Sequence, residues 1–118
     1  MSLSISLYYR LGVSKKKRVE VFYANITSNL RKMTEIVDLY ISLFRPHSLV
    51  SNSEEMEAFD LVPYLVDGIK LLEENKDTLI ENFNPSNGWG SYDDLLKVCK
   101  NYLEACNEFP DSKIFASN

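Results

Sequence analysis

The hydrophobic period changes from alternating to helical early in the chain, and that change restricts what it can fold into. At first the pattern alternates, with Leu3, Ile5 and Leu7 apolar and Ser4 and Ser6 polar, before two aromatics, Tyr8 and Tyr9. A second β-branched and aromatic run follows at Val19-Glu20-Val21-Phe22-Tyr23. Alternation of this kind is the signature of a strand with one covered face. Residues 3–11 and 19–23 therefore read as a β-hairpin, with Gly12 to Arg18 as its loop. From Leu30 onward the apolar residues recur every three or four positions, which is the helical period. Strands first and helices afterwards, in 118 residues without internal repeats or a linker, predict one α+β domain spanning residues 1–118. The expected architecture is an N-terminal hairpin packed with three to four helices. Residues 112–116 (Ser-Lys-Ile-Phe-Ala) offer a short third strand.

The helices have readable ends. Leu30, Met33, Val37, Tyr40, Ile41 and Phe44 form one stripe, so a first helix is expected over 28–44. Thr27 or Ser28 supplies a cap, and Arg45-Pro46 stops the helix because the residue before proline avoids the α region. A second helical region is expected from Ser53, with Glu54 and Glu55 in its first turn and Met56, Phe59, Val62, Val66, Ile69 and Leu72 as its stripe. Pro63 predicts a kink or a fresh start within it. Asp77 to Phe83 reads as a short helix. The last helix is the clearest. Ser91 with Asp94 resembles a capping box, and Tyr92, Leu95, Leu96, Cys99, Tyr102, Leu103 and Cys106 share one face.

Composition fits a soluble globular chain: 45% of residues are hydrophobic and 25% charged. No run reaches the ~18 apolar residues of a membrane span, and the alternating start is unlike a signal peptide. Cys99 and Cys106 lie two turns apart on the last helix, a rise of about 10.5 Å. A disulfide needs Cα atoms within about 7 Å, so the two cannot bridge each other there. They read as reduced core residues of a cytoplasmic protein. Charge is uneven. Residues 1–50 carry eight basic and three acidic side chains, and residues 51–118 carry five and fourteen. The basic excess gathers at Lys15-Lys16-Lys17-Arg18, and such a field biases the approach of partners.

Two asparagine-rich segments stand out. In Asn84-Pro85-Ser86-Asn87-Gly88-Trp89-Gly90-Ser91-Tyr92 the only tryptophan sits between two glycines, before a helix. Either Trp89 plugs the core at a structural corner, or it forms an aromatic platform in a binding loop. In Asn25-Ile26-Thr27-Ser28-Asn29-Leu30 the asparagines are four apart, so in a continuous helix they share a face with Met33. Either they cap the helix and tie down the preceding strand, or their amides hold a polar ligand. The candidate site for a ligand or partner is accordingly Asn25, Asn29, Asn84, Asn87, Trp89 and Tyr92.

The same segments carry a resemblance. The pattern N-I-T-x-N-L-x-x-M at Asn25–Met33, the Arg45-Pro46 step, N-P-S-N-G-W-G-S-Y at Asn84–Tyr92, the run Tyr102-Leu103-Glu104-Ala105-Cys106 and Pro110-Asp111 together resemble a family of small, uncharacterised bacterial and phage proteins. The resemblance covers roughly residues 20–117. It implies a bacterial or phage cytoplasmic origin and no particular activity. Family members often have histidine where this chain has Ser28, and tryptophan where it has Phe44.

Chemical equipment is sparse. A calcium loop counted from Asn82 puts its glycine one place late, at Gly88, and lacks the closing glutamate. One histidine and two cysteines on one helix do not make a zinc site. His47 stands alone on an inter-helix turn, the serines lack a nucleophile elbow, and no phosphate loop or dinucleotide fingerprint is present. The sequence thus points away from an enzyme, and no cofactor is expected. Tyr8, Tyr9 and Tyr23 beside a basic cluster invite base stacking, but an isoelectric point near 5.0 disfavours nucleic acid. The expectation is a small cytoplasmic accessory protein that binds another protein. The alternative is a protein binding a small polar ligand at the Asn25/Asn29 and Asn84–Trp89 region.

Overall fold

The computed structural model describes residues 2–11, 17–27, 30–37, 39–44, 46, 56–83 and 92–117. It is an α+β fold. The elements in chain order are β1 (Ser2–Leu11), β2 (Lys17–Thr27), α1 (Arg31–Ile36), α2 (Tyr40–Phe44), α3 (Ala58–Glu74), α4 (Lys76–Phe83), α5 (Tyr92–Glu108) and β3 (Lys113–Ser117). The three strands form one antiparallel sheet in the order β2-β1-β3. The hairpin and the third strand stand close to their expected positions. β2 is longer than expected and runs through Asn25 to Thr27, which pairs with Ser2. Asn25 is therefore a strand residue, and no continuous helix runs from it to Met33.

A β-bulge sets the faces of β2. Leu7 pairs with Phe22 but Tyr8 pairs with Glu20, leaving Val21 as an extra residue. Val21 and Phe22 both turn toward α5, where they line a hollow with Asn101, Glu104 and Ala105. The extra residue changes the parity of the strand. Ile26 and Phe22 point inward above it, while Arg18 and Glu20 point outward below it. Inside, Phe22 stacks on Tyr102 of α5, with ring centroids 5.7 Å apart and planes 8° from parallel. Tyr9 also faces inward, edge-on to Phe109 at 6.4 Å.

α3 and α5 run antiparallel. At one end the Tyr92 hydroxyl donates to the Leu72 carbonyl at 2.8 Å. At the other, the first free amides of α3, Ala58 and Phe59, donate to the carbonyls of Ser112 and Pro110 at 2.8 and 2.9 Å. The turn after α5 thereby satisfies helix-start donors that have no partner within their own helix. The Glu57 amide donates to the Asp60 carboxylate at 3.3 Å. The helix begins at Ala58, not near Ser53, because Met56 and Glu57 are engaged along β3. It continues through Pro63 without a new start. Proline removes the bond to the Phe59 carbonyl, and Phe59 and Pro63 are both exposed, so the missing bond lies on the solvent side of the helix.

The buried face of α3 also differs from the expected stripe. Ala58, Leu61, Leu65, Gly68, Ile69 and Leu72 face the core, whereas Phe59 and Val66 are 66% and 47% exposed. Two apolar stripes interleave on this helix, and small residues decided between them. Gly68 leaves room for Leu39, since a Cβ there would overlap the Leu39 side chain.

Leu39 sits where the expected first helix breaks. The Val37 amide still reaches Met33, but the Leu39 amide reaches back five residues, to the Thr34 carbonyl at 2.7 Å. This wider turn advances the phase by about one residue. Leu39 and Leu43 are buried as a result, and Ile41 is exposed. α2 ends at Phe44, just before Arg45-Pro46 as expected. The helix over Tyr92–Glu108 matches its sequence pattern, with Tyr92, Leu95, Cys99, Tyr102, Ala105 and Cys106 buried. Both cysteines are free. No helix among the described residues is long and apolar enough to cross a membrane.

Candidate functional site

Among the described residues, the helices lie against one side of the sheet and none lies against the other. On the open side, alternation places Ser4, Ser6, Tyr8 and Arg10 of β1 beside Asn25, Tyr23, Glu20 and Arg18 of β2 and Phe115 of β3. Short polar contacts tie this face together. Asn25 donates its amide to the Ser4 hydroxyl at 3.3 Å, and the Ser4 and Tyr23 hydroxyls are 3.3 Å apart. Ser6 donates to the Glu20 carboxylate at 2.7 Å. Tyr23 and Phe115 are 56% and 46% exposed.

Tyr8 lies on this open side yet is only 5% exposed. Arginines shield it. The Arg18 guanidinium sits over its ring at 4.7 Å and that of Arg10 at 5.6 Å. Arg18 is also 5.9 Å from the Phe115 ring. Ser6, Tyr8, Arg18, Glu20 and Phe115 surround a hollow of about 150 Å³. Arg18 was expected at the tip of the loop. It is instead a strand residue, paired with Arg10 and held over aromatic rings.

The two edges of the sheet are unlike. The β3 edge is covered: Ile114 donates to the Met56 carbonyl at 3.0 Å, and Lys113 pairs with Glu57 at 3.1 Å. Among the described residues, no strand pairs with the outer edge of β2. Every second residue of β2 therefore turns its N–H and C=O away from the sheet.

A second concavity lies where the end of β2 meets the start of α5. Asn25, Ile26, Leu30, Asp94, Leu95, Lys97 and Val98 line a cleft of about 280 Å³. Its floor is apolar, with Ile26, Leu30 and Leu95 buried, and Asp94 and Lys97 flank it as exposed charges.

The six residues singled out from sequence fare differently. Asn25 is exposed on β2 and borders both the open face and the cleft. Tyr92 is buried, and its hydroxyl joins α5 to α3. Burial, together with nearby Glu73 and Asp93, pushes its phenol above the usual range, so it stays a donor to Leu72. Asn29, Asn84, Asn87 and Trp89 lie outside the described residues. The segment around Asn25 and the beginning of the last helix do meet, as Asn25 and Asp94 show. Sequence reasoning missed the arginine–tyrosine cluster. Its signal was the polar half of the first alternation, Ser4, Ser6, Tyr8 and Arg10, which marks an uncovered face.

No protein-family model, curated protein or solved structure matches this chain. The resemblance to a family of small bacterial and phage proteins rests on its sequence motifs alone.

Proposed function

We propose that this chain is a small accessory protein of a bacterial or phage cytoplasm, and that it acts by binding another protein through the open face of its sheet and the free edge of β2. The observation that carries this reading is the asymmetry of the sheet. Among the described residues, one face is packed by helices and one edge is covered, while the opposite face and edge present aromatic rings, arginines and main-chain hydrogen-bonding groups. An extended partner segment uses such an edge to add a strand, and neighbouring side chains supply specificity. Two buried, unbridged thiols suit a reducing compartment.

Photo-crosslinking tests it. A benzoylphenylalanine in place of Tyr23 should give a covalent protein adduct in bacterial lysate on illumination, and one in place of Val66 should not. Adducts from position 66 with none from position 23 would move the binding surface to α3 and contradict the proposal. A second reading rests on the cleft beside Asn25, whose amide, carboxylate and ammonium groups over an apolar floor suit a small polar ligand. Filling that cleft with Val98→Trp should leave the adduct from position 23 intact if the protein-binding reading holds.

A further inference from the structure

We infer that the partner presents an extended acidic segment, which seats a carboxylate on Arg18 and pairs its backbone along β2. This inference rests on the protein-binding reading above and gives it a chemistry. The register places Arg10 directly opposite Arg18, and like charges directly opposite on adjacent strands repel each other. Tyr8 and Phe115 hold them there by attracting the guanidinium groups to their ring faces. Contact with the rings pre-orients the planar guanidinium, whose rim donors form the fork that matches a carboxylate.

Arg18 makes no ion pair among the described residues. The carboxylate closest to it in the strand pattern, Glu20, is held by the Ser6 hydroxyl. The charge is therefore available, its side chain is fixed by two rings, and its neighbour on β1 is another cation. An anion seated on Arg18 satisfies that charge. The adjoining hollow of about 150 Å³ takes a side chain of aspartate or glutamate size. Exposed Lys17 extends the positive field toward the sequence cluster Lys15-Lys16.

Two features favour a peptide over a phosphate backbone. The first is the free β2 edge, whose alternating N–H and C=O groups pair with another main chain and have no use for a nucleotide strand. The second is charge spacing. Glu20 lies on the same face as Arg18, so an unbroken run of phosphates would be repelled there. An extended peptide carrying its acids on one side places carboxylates against the arginines and leaves the rest neutral.

A displayed library of random nonapeptides, selected on the immobilised full chain at low salt, tests the inference. Recovered sequences should be enriched in Asp and Glu at alternate positions and should bind less tightly as salt rises. Arg18→Gln should weaken them on the order of tenfold or more, as expected for one lost bidentate pair, with Arg18→Lys in between. Selection that enriches no acidic residues, or peptides that bind Arg18→Gln as well as the wild type, would overturn the inference. So would Arg18-dependent binding of a short oligothymidine in preference to the acidic peptides. Illuminating the position-23 variant with and without Arg18→Gln separates the two levels of argument. An undiminished adduct in the Arg18→Gln protein sinks the acidic-partner inference and spares the docking face. No adduct in either protein sinks the docking face itself.

Discussion

Tyr102→Ala should cost about 4 kcal/mol of folding stability, and Tyr102→Phe should add about 1 kcal/mol. Tyr102 is fully buried on α5, stacked on Phe22 of β2, and so joins the helical layer to the sheet. Its truncation loses the apolar transfer energy, leaves a cavity and removes the ring pair. The hydroxyl is another matter. It is buried with no hydrogen-bond partner among the described residues, which costs about 1–3 kcal/mol against leaving it in water. Phenylalanine keeps the ring and removes that penalty. In a domain of this length, 4 kcal/mol lowers the melting temperature by on the order of 15 °C, within easy reach of a thermal scan. If Tyr102→Phe lost stability instead, the hydroxyl would have to be hydrogen-bonded and the packing around it differently arranged.

The second large effect is alkaline. Burial pushes the thiols of Cys99 and Cys106 up to about 12 from an ordinary value of 9.0. It pushes the Tyr102 phenol up as well, with the two cysteines adding to the effect. These groups hold their protons in the folded chain at a pH where the unfolded chain has released them. The unfolded state is therefore the one favoured as pH rises. Stability is intact below pH 9 and falls between 9 and about 12, at about 1.4 kcal/mol per thiol for each pH unit. Between pH 8 and pH 10 the two thiols together should remove about 3 kcal/mol. Urea unfolding at the two pH values measures the loss, and a Cys99→Ala, Cys106→Ala protein should show much less of it. Equal dependence on pH in both proteins would mean that the thiols are not buried in this core.

What could be read from the sequence divides along physical lines. α5 was legible because its apolar face is a single stripe with charges on the other side, so only one orientation buries it. The strands were legible because Ile5 and Leu7 alternate with serines. α3 was not, because Phe59, Val62 and Val66 form a stripe as regular as Leu61, Leu65 and Leu72. The choice between the stripes lay in Ala58 and Gly68, small residues that carry little hydrophobic signal but allow Leu39 to approach closely. The break at Val37–Leu39 comes from one widened turn, and no breaker residue marks it. The bulge at Val21 is equally silent, because Val21 and Phe22 are both apolar and either parity looks acceptable locally.

The candidate site shows the same limit. Asn25 was expected just before a helix and lies instead in β2, where it lines the same cleft as Asp94 of α5. Tyr92 looked like part of a loop motif, but it opens a helix whose first residue is buried against α3. The Tyr8–Arg10–Arg18–Phe115 cluster depends on β3 returning to pair with β1, over a hundred residues away in the chain. No local pattern announces a contact of that kind.

Amide hydrogen exchange of the full chain, free and saturated with the protein crosslinked from position 23, tests the central claim most directly. In the free chain, every second amide of β2 should exchange fast, since no neighbouring strand accepts its hydrogen bond. Binding should slow those amides and leave α3 unchanged. Protection confined to α3 around Phe59 and Val66, or to the cleft between Asn25 and Lys97, with the β2 amides still fast, would contradict the account.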